Sequence, residues 1–108
     1  MASDQEFVDF VVDQFDADCE ITYKKMFGEY GLYSAGTFFG VICDNRLFFK
    51  PTESGREFIG EVTEAPPYPG ARNSFLIEDQ IEDGPWLSDL VRITVRELGP
   101  PRKKGSGR

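Results

Sequence analysis

The sequence predicts a small α+β domain built on an antiparallel meander, and three observations carry that reading. From Lys24 to Lys50, aromatic and β-branched residues are punctuated by glycines at the spacing of strands joined by tight turns. Amphipathic segments from Phe7 to Phe15 and from Trp86 to Leu98 flank the aromatic region, with apolar residues three and four apart. The chain has 108 residues, 40% of them hydrophobic and 14% aromatic, which is enough for one core without a disulfide or metal staple. No internal repeat divides it, so a single domain is expected over residues 1–100.

Ser3-Asp4-Gln5-Glu6 has the form of a capping box, in which the serine hydroxyl accepts from the amide three residues on and the glutamate reaches back. The helix it opens should end near Asp16, with Phe7, Val8, Phe10, Val11, Val12 and Phe15 on its apolar stripe. Glu20 to Phe27 alternates as a half-exposed strand, and Gly28 and Gly31 are read as breaking it at a turn. Tyr30 to Ser34 is extended, and Ser34-Ala35-Gly36-Thr37 is a hairpin turn in which Gly36 takes positive φ. Thr37 to Cys43 is apolar on both faces and belongs centrally in the sheet. Asp44-Asn45 turns the chain again and Arg46 to Lys50 returns, completing a meander of about three strands.

Pro51 ends the meander, and Thr52 caps a short helix through Ile59 in spite of Gly55. Pro66, Pro67 and Pro69 make Ala65 to Gly70 a stiff irregular connection on the surface. Asn73 to Asp79 is a further strand with Phe75 and Ile77 on one face. Gly84-Pro85 opens the last helix, and Gly99-Pro100-Pro101 stops it. Residues 101–108 are then read as a mobile basic tail.

Charge is segregated along the chain. Residues 1–100 hold eight basic residues against nineteen acidic ones, a net of −11, while the tail adds four basic residues. A body of that sign repels phosphate backbones, which argues against direct nucleic-acid binding. No apolar run approaches the roughly 18 residues of a membrane span, and Asp4, Glu6 and Asp9 interrupt any leader at the amino terminus. Cys19 and Cys43 lack metal-ligand spacing and the chain has no histidine, so no metal site or cofactor is expected. Cys43 should pack as a small hydrophobe, and the carboxylates of Asp16, Asp18 and Glu20 should raise the Cys19 thiol pKa. A reducing cytoplasm is the expected compartment.

Candidate chemistry is sparse. The MFGEYG stretch with Lys24 or Lys25 resembles an anion loop but lacks the Lys-Ser/Thr of a phosphate-binding loop. Acidic groups at Asp16/Asp18 and Glu78–Asp83 do not follow calcium-loop spacing. Serines have no histidine partner and no nucleophile elbow, so no catalytic residue is assigned and the chain is read as not an enzyme. The remaining arrangement places Tyr23, Tyr30 and Tyr33 with Lys25 on one sheet face, where they could stack a planar ligand. Lys25, Tyr30 and Tyr33 are the candidate ligand-binding residues, and Gly28, Gly31 and Gly36 the structural turn residues.

The runs Lys25-Met26-Phe27-Gly28-Glu29-Tyr30-Gly31-Leu32-Tyr33, Phe38-Phe39-Gly40-Val41-Ile42 and Asp44-Asn45-Arg46-Leu47-Phe48-Phe49-Lys50 resemble the signature of the TfoX amino-terminal domain family. The resemblance extends over about residues 5 to 98, including Tyr68-Pro69 and the helix with Trp86. It implies a curved antiparallel sheet, about four to five strands here, with helices mainly on one face in a two-layer architecture like that of secretion chaperones. It also implies kinship with competence regulators of the TfoX/Sxy type, but as a stand-alone member, because the chain ends after one such domain. Glu29 stands where the family usually has glycine, which puts a charge in the turn and argues against close backbone approach there. The functional expectation is a non-enzymatic cytoplasmic module acting through another protein, a regulatory accessory without membrane contact. A homo-oligomer is also allowed, and the alternative function is small-molecule or anion binding at Lys25, Tyr30 and Tyr33.

Overall fold

The structure is a computed structural model that describes residues 3–26 and 28–100. Phe27 and the tail at 101–108, read above as mobile, lie outside the described residues. The elements are α1 (Gln5–Gln14), a single 3₁₀ turn (Ala17–Cys19), β1 (Ile21–Met26), β2 (Glu29–Ser34), β3 (Thr37–Cys43) and β4 (Arg46–Phe49). They continue with α2 (Glu53–Ile59), β5 (Thr63–Ala65), β6 (Ser74–Ile77) and α3 (Gly84–Leu98).

One open sheet of six strands runs in the order β1-β2-β3-β4-β6-β5, with every neighbouring pair antiparallel. The α+β class is as expected, but the sheet is larger than four to five strands and its meander has four strands where about three are predicted. The added strand, β5, is three residues of Thr-Glu-Ala ahead of the prolines, and it is held extended by pairing with β6. Both later hairpin turns use left-handed residues, Ala35 with Gly36 and Asp44 with Asn45, as two-residue loops between twisted strands require.

Opposed residues in an antiparallel ladder project to the same face. On one face Leu32, Ile42, Leu47, Phe49, Phe75 and Ile77 pack against Val8 and Val11 of α1, Phe15 at its C-cap, and Leu87, Leu90 and Val91 of α3. Phe10, read on the same stripe, is instead exposed, because only the Val8 and Val11 side of α1 meets the sheet. A register shift between Leu32 and Tyr33 gives β3 an extra residue. Phe39 and Gly40 therefore both lie on the helix side, and the Phe39 ring meets Phe15 at 6.0 Å and Phe49 at 5.0 Å. Gly40 has no room for a side chain, since a Cβ would sit 2.3 Å from the Phe48 carbonyl oxygen.

The predicted capping box is not made. Asp4 is the N-cap of α1 without a side-chain cap bond, and Ser3 instead donates its hydroxyl to Glu29 Oε1 at 2.7 Å. The hydroxyl oxygen that the box would offer to a local amide accepts from the Asn45 amide instead, while its proton goes to the Glu29 carboxylate, a stronger acceptor than a neutral oxygen. At α2 the cap is as read, with Thr52 Oγ1 accepting from the Gly55 amide at 2.9 Å. Glu97 adds to it by accepting from the Glu53 and Ser54 amides at 3.1 and 2.9 Å, and those bonds hold its carboxyl below the usual range. Asp83 caps α3 by accepting from the Trp86 amide at 3.2 Å, and Phe58 packs on Trp86 to join α2 to α3.

Gly40→Ala is expected to destabilise the domain by about 1 to 3 kcal/mol through overpacking against backbone that cannot move aside. In urea unfolding this appears as a lowered midpoint at unchanged slope, and an unchanged midpoint would contradict the close approach.

Candidate functional site

The sheet's second face turns away from the helices. On it lie Lys24 and Met26 of β1, Tyr33 of β2, Phe38, Val41 and Cys43 of β3, and Arg46 and Phe48 of β4. Cys43 and Phe48 are buried there, apart from the helix-side core. The proline-bearing segment from Pro66 to Pro69 lies along this side and brings Tyr68 to it with 58% of its surface exposed.

Between the strands and Tyr68 is a depression of about 650 Å³ lined by Met26, Glu29, Tyr30, Phe38, Val41, Cys43 and Tyr68. A second of about 370 Å³ adjoins it at Glu29, Cys43 and Tyr68 and extends to Arg46 and Pro66. Gly31 makes the floor possible: a Cβ there would stand 2.3 Å from Met26 Cε and 3.1 Å from Phe38 Cε1. The absent side chain lets Met26 lie across β2 toward Phe38, a position suited to a flexible thioether.

Gly31 is thus no turn residue but the middle of β2, opposite Lys24 and Val41. Gly28 sits in the turn before β2 and Gly36 in the turn before β3, with φ of +83° and +90°.

Three cations border the face, each over an aromatic ring. Lys24 Nζ is 5.4 Å from the Tyr33 centroid, Lys50 Nζ is 5.1 Å from Phe38, and the Arg46 guanidinium is 5.5 Å from Phe48. Tyr33 and Phe38 are themselves 5.4 Å apart, so Lys24 and Lys50 flank one aromatic pair. Among the described residues, ion pairs are made by Arg56 and Arg92, not by these three cations.

The predicted ligand set is split across the sheet. Lys25 opposes Tyr30 on the helix side, with its Nζ 5.9 Å from that ring. Tyr30 is 3% exposed, packs edge-on to Tyr23 at 5.5 Å, and donates its hydroxyl to Gln5 Oε1 at 3.3 Å. Tyr33 lies on the opposite face. Residues three apart in a strand project to opposite sides, so Lys25, Tyr30 and Tyr33 cannot embrace one ligand. Met26, Phe38, Val41 and Tyr68 are the site residues that this reading passed over.

Glu29 closes one end of the depression. Its Oε1 accepts from the Ser3 amide at 3.0 Å and the Ser3 hydroxyl at 2.7 Å, and its Oε2 accepts from the Asp44 amide at 2.9 Å. Ser3 Oγ accepts in turn from the Asn45 amide at 2.9 Å. The charge expected to hold backbone away instead draws two backbone amides to it, tying the amino-terminal segment to the β3–β4 turn.

The chemistry here is that of contact. Burial, then the Glu29 carboxylate, pushes the Cys43 thiol up to about 11, so it stays protonated at neutral pH. Cys19 is also raised, and burial leads there; the neighbouring carboxylates expected to dominate contribute less, because Asp16 and Asp18 turn to Arg92 at 2.9 Å each. Among the described residues, no group of three or more His, Cys, Asp or Glu could hold a metal ion, and no helix is long and apolar enough to cross a membrane.

A family model for the TfoX N-terminal domain matches residues 13–98. An uncharacterized 12.7 kDa protein in the trpE 5′ region of Spirochaeta aurantia is 39% identical over 104 residues, which span 96% of this chain and 90% of that protein.

Two outcomes follow from this geometry. Glu29→Gln retains the shape but loses the charge and one acceptor oxygen, and is expected to cost about 1 to 3 kcal/mol in urea unfolding; no loss would show the clamp to be idle. Because the folded-state pKa of Cys43 lies above its unfolded value of 9.0, this thiol's contribution is fully present below pH 9.0 and is lost as pH rises toward about 11. Stability measured across that window should fall less steeply in Cys43→Ala than in the unaltered protein, and identical slopes would rule the contribution out.

Proposed function

The chain belongs to the TfoX N-terminal domain family, and we propose that it is a non-enzymatic, cytoplasmic protein-interaction module whose contact surface is the sheet face turned away from the helices. One observation carries the reading: an apolar depression floored by Met26, Phe38 and Val41, with Tyr68 standing half out of it, is left uncovered by α1, α2 and α3. Apolar area of this kind is favourable to bury, and an aromatic that is already ordered beside a pocket anchors a partner at low entropic cost.

The regulatory role implied by the resemblance fits an accessory that works beside a DNA-binding partner. The net of −11 over residues 1–100 opposes direct phosphate contact. Two buried free thiols, Cys19 and Cys43, are consistent with a reducing compartment.

The volume of the depression, about 650 Å³, supports a second reading as a small-molecule site, since such sites run from roughly 300 to 1,000 Å³. That ligand would lie at Tyr30, Phe38, Val41 and Tyr68, with Lys24 or Lys50 at its edge, and not at Lys25.

The two readings separate experimentally. Affinity capture from native cells should recover a partner with the unaltered chain and lose it by about tenfold or more with Tyr68→Ala, the truncation of an anchor residue. Equal recovery by both chains would sink the contact reading. A thermal shift with a metabolite, abolished by Val41→Glu, would favour the small-molecule site.

A further inference from the structure

Resting on the reading of this side of the sheet as a protein contact surface, we propose that β1 receives an extended acidic segment of a partner protein as an added strand. The segment's pattern is set by β1 itself: apolar, acidic, acidic, apolar, opposite Tyr23, Lys24, Lys25 and Met26.

Among the described residues β1 is an edge of the sheet, paired with β2 alone. Its hydrogen-bonding phase follows from one bond beyond the strand end, the Ala35 amide donating to the Glu20 carbonyl at 3.0 Å. Glu20 and Ala35 are therefore a hydrogen-bonded pair, and the pattern alternates along the ladder through Thr22/Tyr33, Lys24/Gly31 and Met26/Glu29. The N–H and C=O groups of Ile21, Tyr23 and Lys25 are left pointing away from the sheet. They form the row of donors and acceptors that an incoming strand requires.

The charge on this edge selects the occupant. Lys24, Lys25 and Lys50 are all the lysines of residues 3–100, and two of them are adjacent on β1. They stand in a body with a net of −11, and among the described residues none of the three is in an ion pair. A second copy laid along the same edge would bring four ammonium groups together, so the charges that oppose self-pairing favour an acidic partner. The two lysines project to opposite faces, so a partner strand meets both only with consecutive acidic residues. The neighbours of that pair lie against Tyr23 on the helix side and Met26 on the open side, and Met26 is the near wall of the depression. The opposite edge, β5, offers three residues and carries Glu64.

The test uses the whole chain and a phage-displayed library of random dodecapeptides. Enriched peptides should share adjacent acidic residues flanked by apolar ones. A synthetic peptide of the enriched sequence should slow hydrogen exchange at the amides of Ile21, Tyr23 and Lys25. Its affinity should fall by about tenfold or more in Lys24→Glu/Lys25→Glu, since like charges then face each other. Lys25→Pro removes an outward amide without touching the β2 ladder, and should weaken binding well beyond Lys25→Ala; circular dichroism checks that both remain folded.

No enrichment, enriched peptides without the acidic pair, or indifference to Lys25→Pro would each overturn the proposal. Peptides that depend on Tyr68 but not on Lys25→Pro would overturn strand addition while leaving the contact face standing. Self-association abolished by Lys25→Pro would assign the edge to a second copy and overturn it as well.

Discussion

The architecture depends on one strand that must bury side chains on both faces while helices cover only one. β3 sends Phe39 and Ile42 to the helix side, where they are fully buried, and Phe38, Val41 and Cys43 to the other. Covering the second side falls to side chains and one loop: Met26 folded over Gly31, the Tyr33 ring tilted against Phe38, and the stiff segment that carries Tyr68. A proline-rich segment suits that position, because it needs few amide partners and loses little freedom when ordered. It is too short to seal the face, and the depression is the part left open.

The Leu32/Tyr33 bulge reconciles the two sides. Without the extra residue, strict alternation would leave either Phe38 or Gly40 facing the wrong layer. With it, two consecutive positions, Phe39 and Gly40, serve the core: Phe39 is fully buried, and Gly40 lets the β4 backbone at Phe48 approach. At the other end of the meander, Glu29 performs a comparable function with charge: one carboxylate satisfies amides from Ser3 and from the β3–β4 turn. That fixes how α1 enters the fold more firmly than a local cap could.

Much of this was legible in the sequence, and the failures have definite causes. The long helices show through because ten- and fifteen-residue stretches sustain one apolar stripe. The two-residue turns show through because Asp, Asn and Gly tolerate left-handed backbone. β5 does not, since three residues carry no period and their extension is imposed by β6. The Ser3 cap fails because its competitor is 26 residues away, beyond any local pattern. Of the tyrosine cluster, Tyr23, Tyr30 and Lys25 do meet, but Tyr33 drops out on parity, since it is an odd number of residues from Tyr30 and the alternation that defines a strand separates them. The signal for the depression was present in β3, apolar on both faces. A strand apolar on both faces needs cover on both, but that Tyr68 supplies part of it is decided by tertiary path, not by spacing.

The distribution of charge adds a constraint of its own. Asp16, Asp18 and Asp89 gather on Arg92, Glu64 takes Arg56, and the carboxylates of Glu97 and Glu29 are engaged by amides. Asp16 and Asp18 keep the Arg92 guanidinium protonated beyond its ordinary range, and three carboxylates share that one cation. The cations on the open side instead rest on rings, at 5.1 to 5.5 Å for Lys50, Lys24 and Arg46. Such contacts contribute about 0.5 to 1 kcal/mol at exposed sites, too little to be what holds the fold. They do leave each positive charge over a ring and, among the described residues, outside any ion pair, against a body whose sign is negative. Folding has therefore engaged these carboxylates through internal contacts, and the cations of the open side are charges it leaves, among the described residues, without an ion pair.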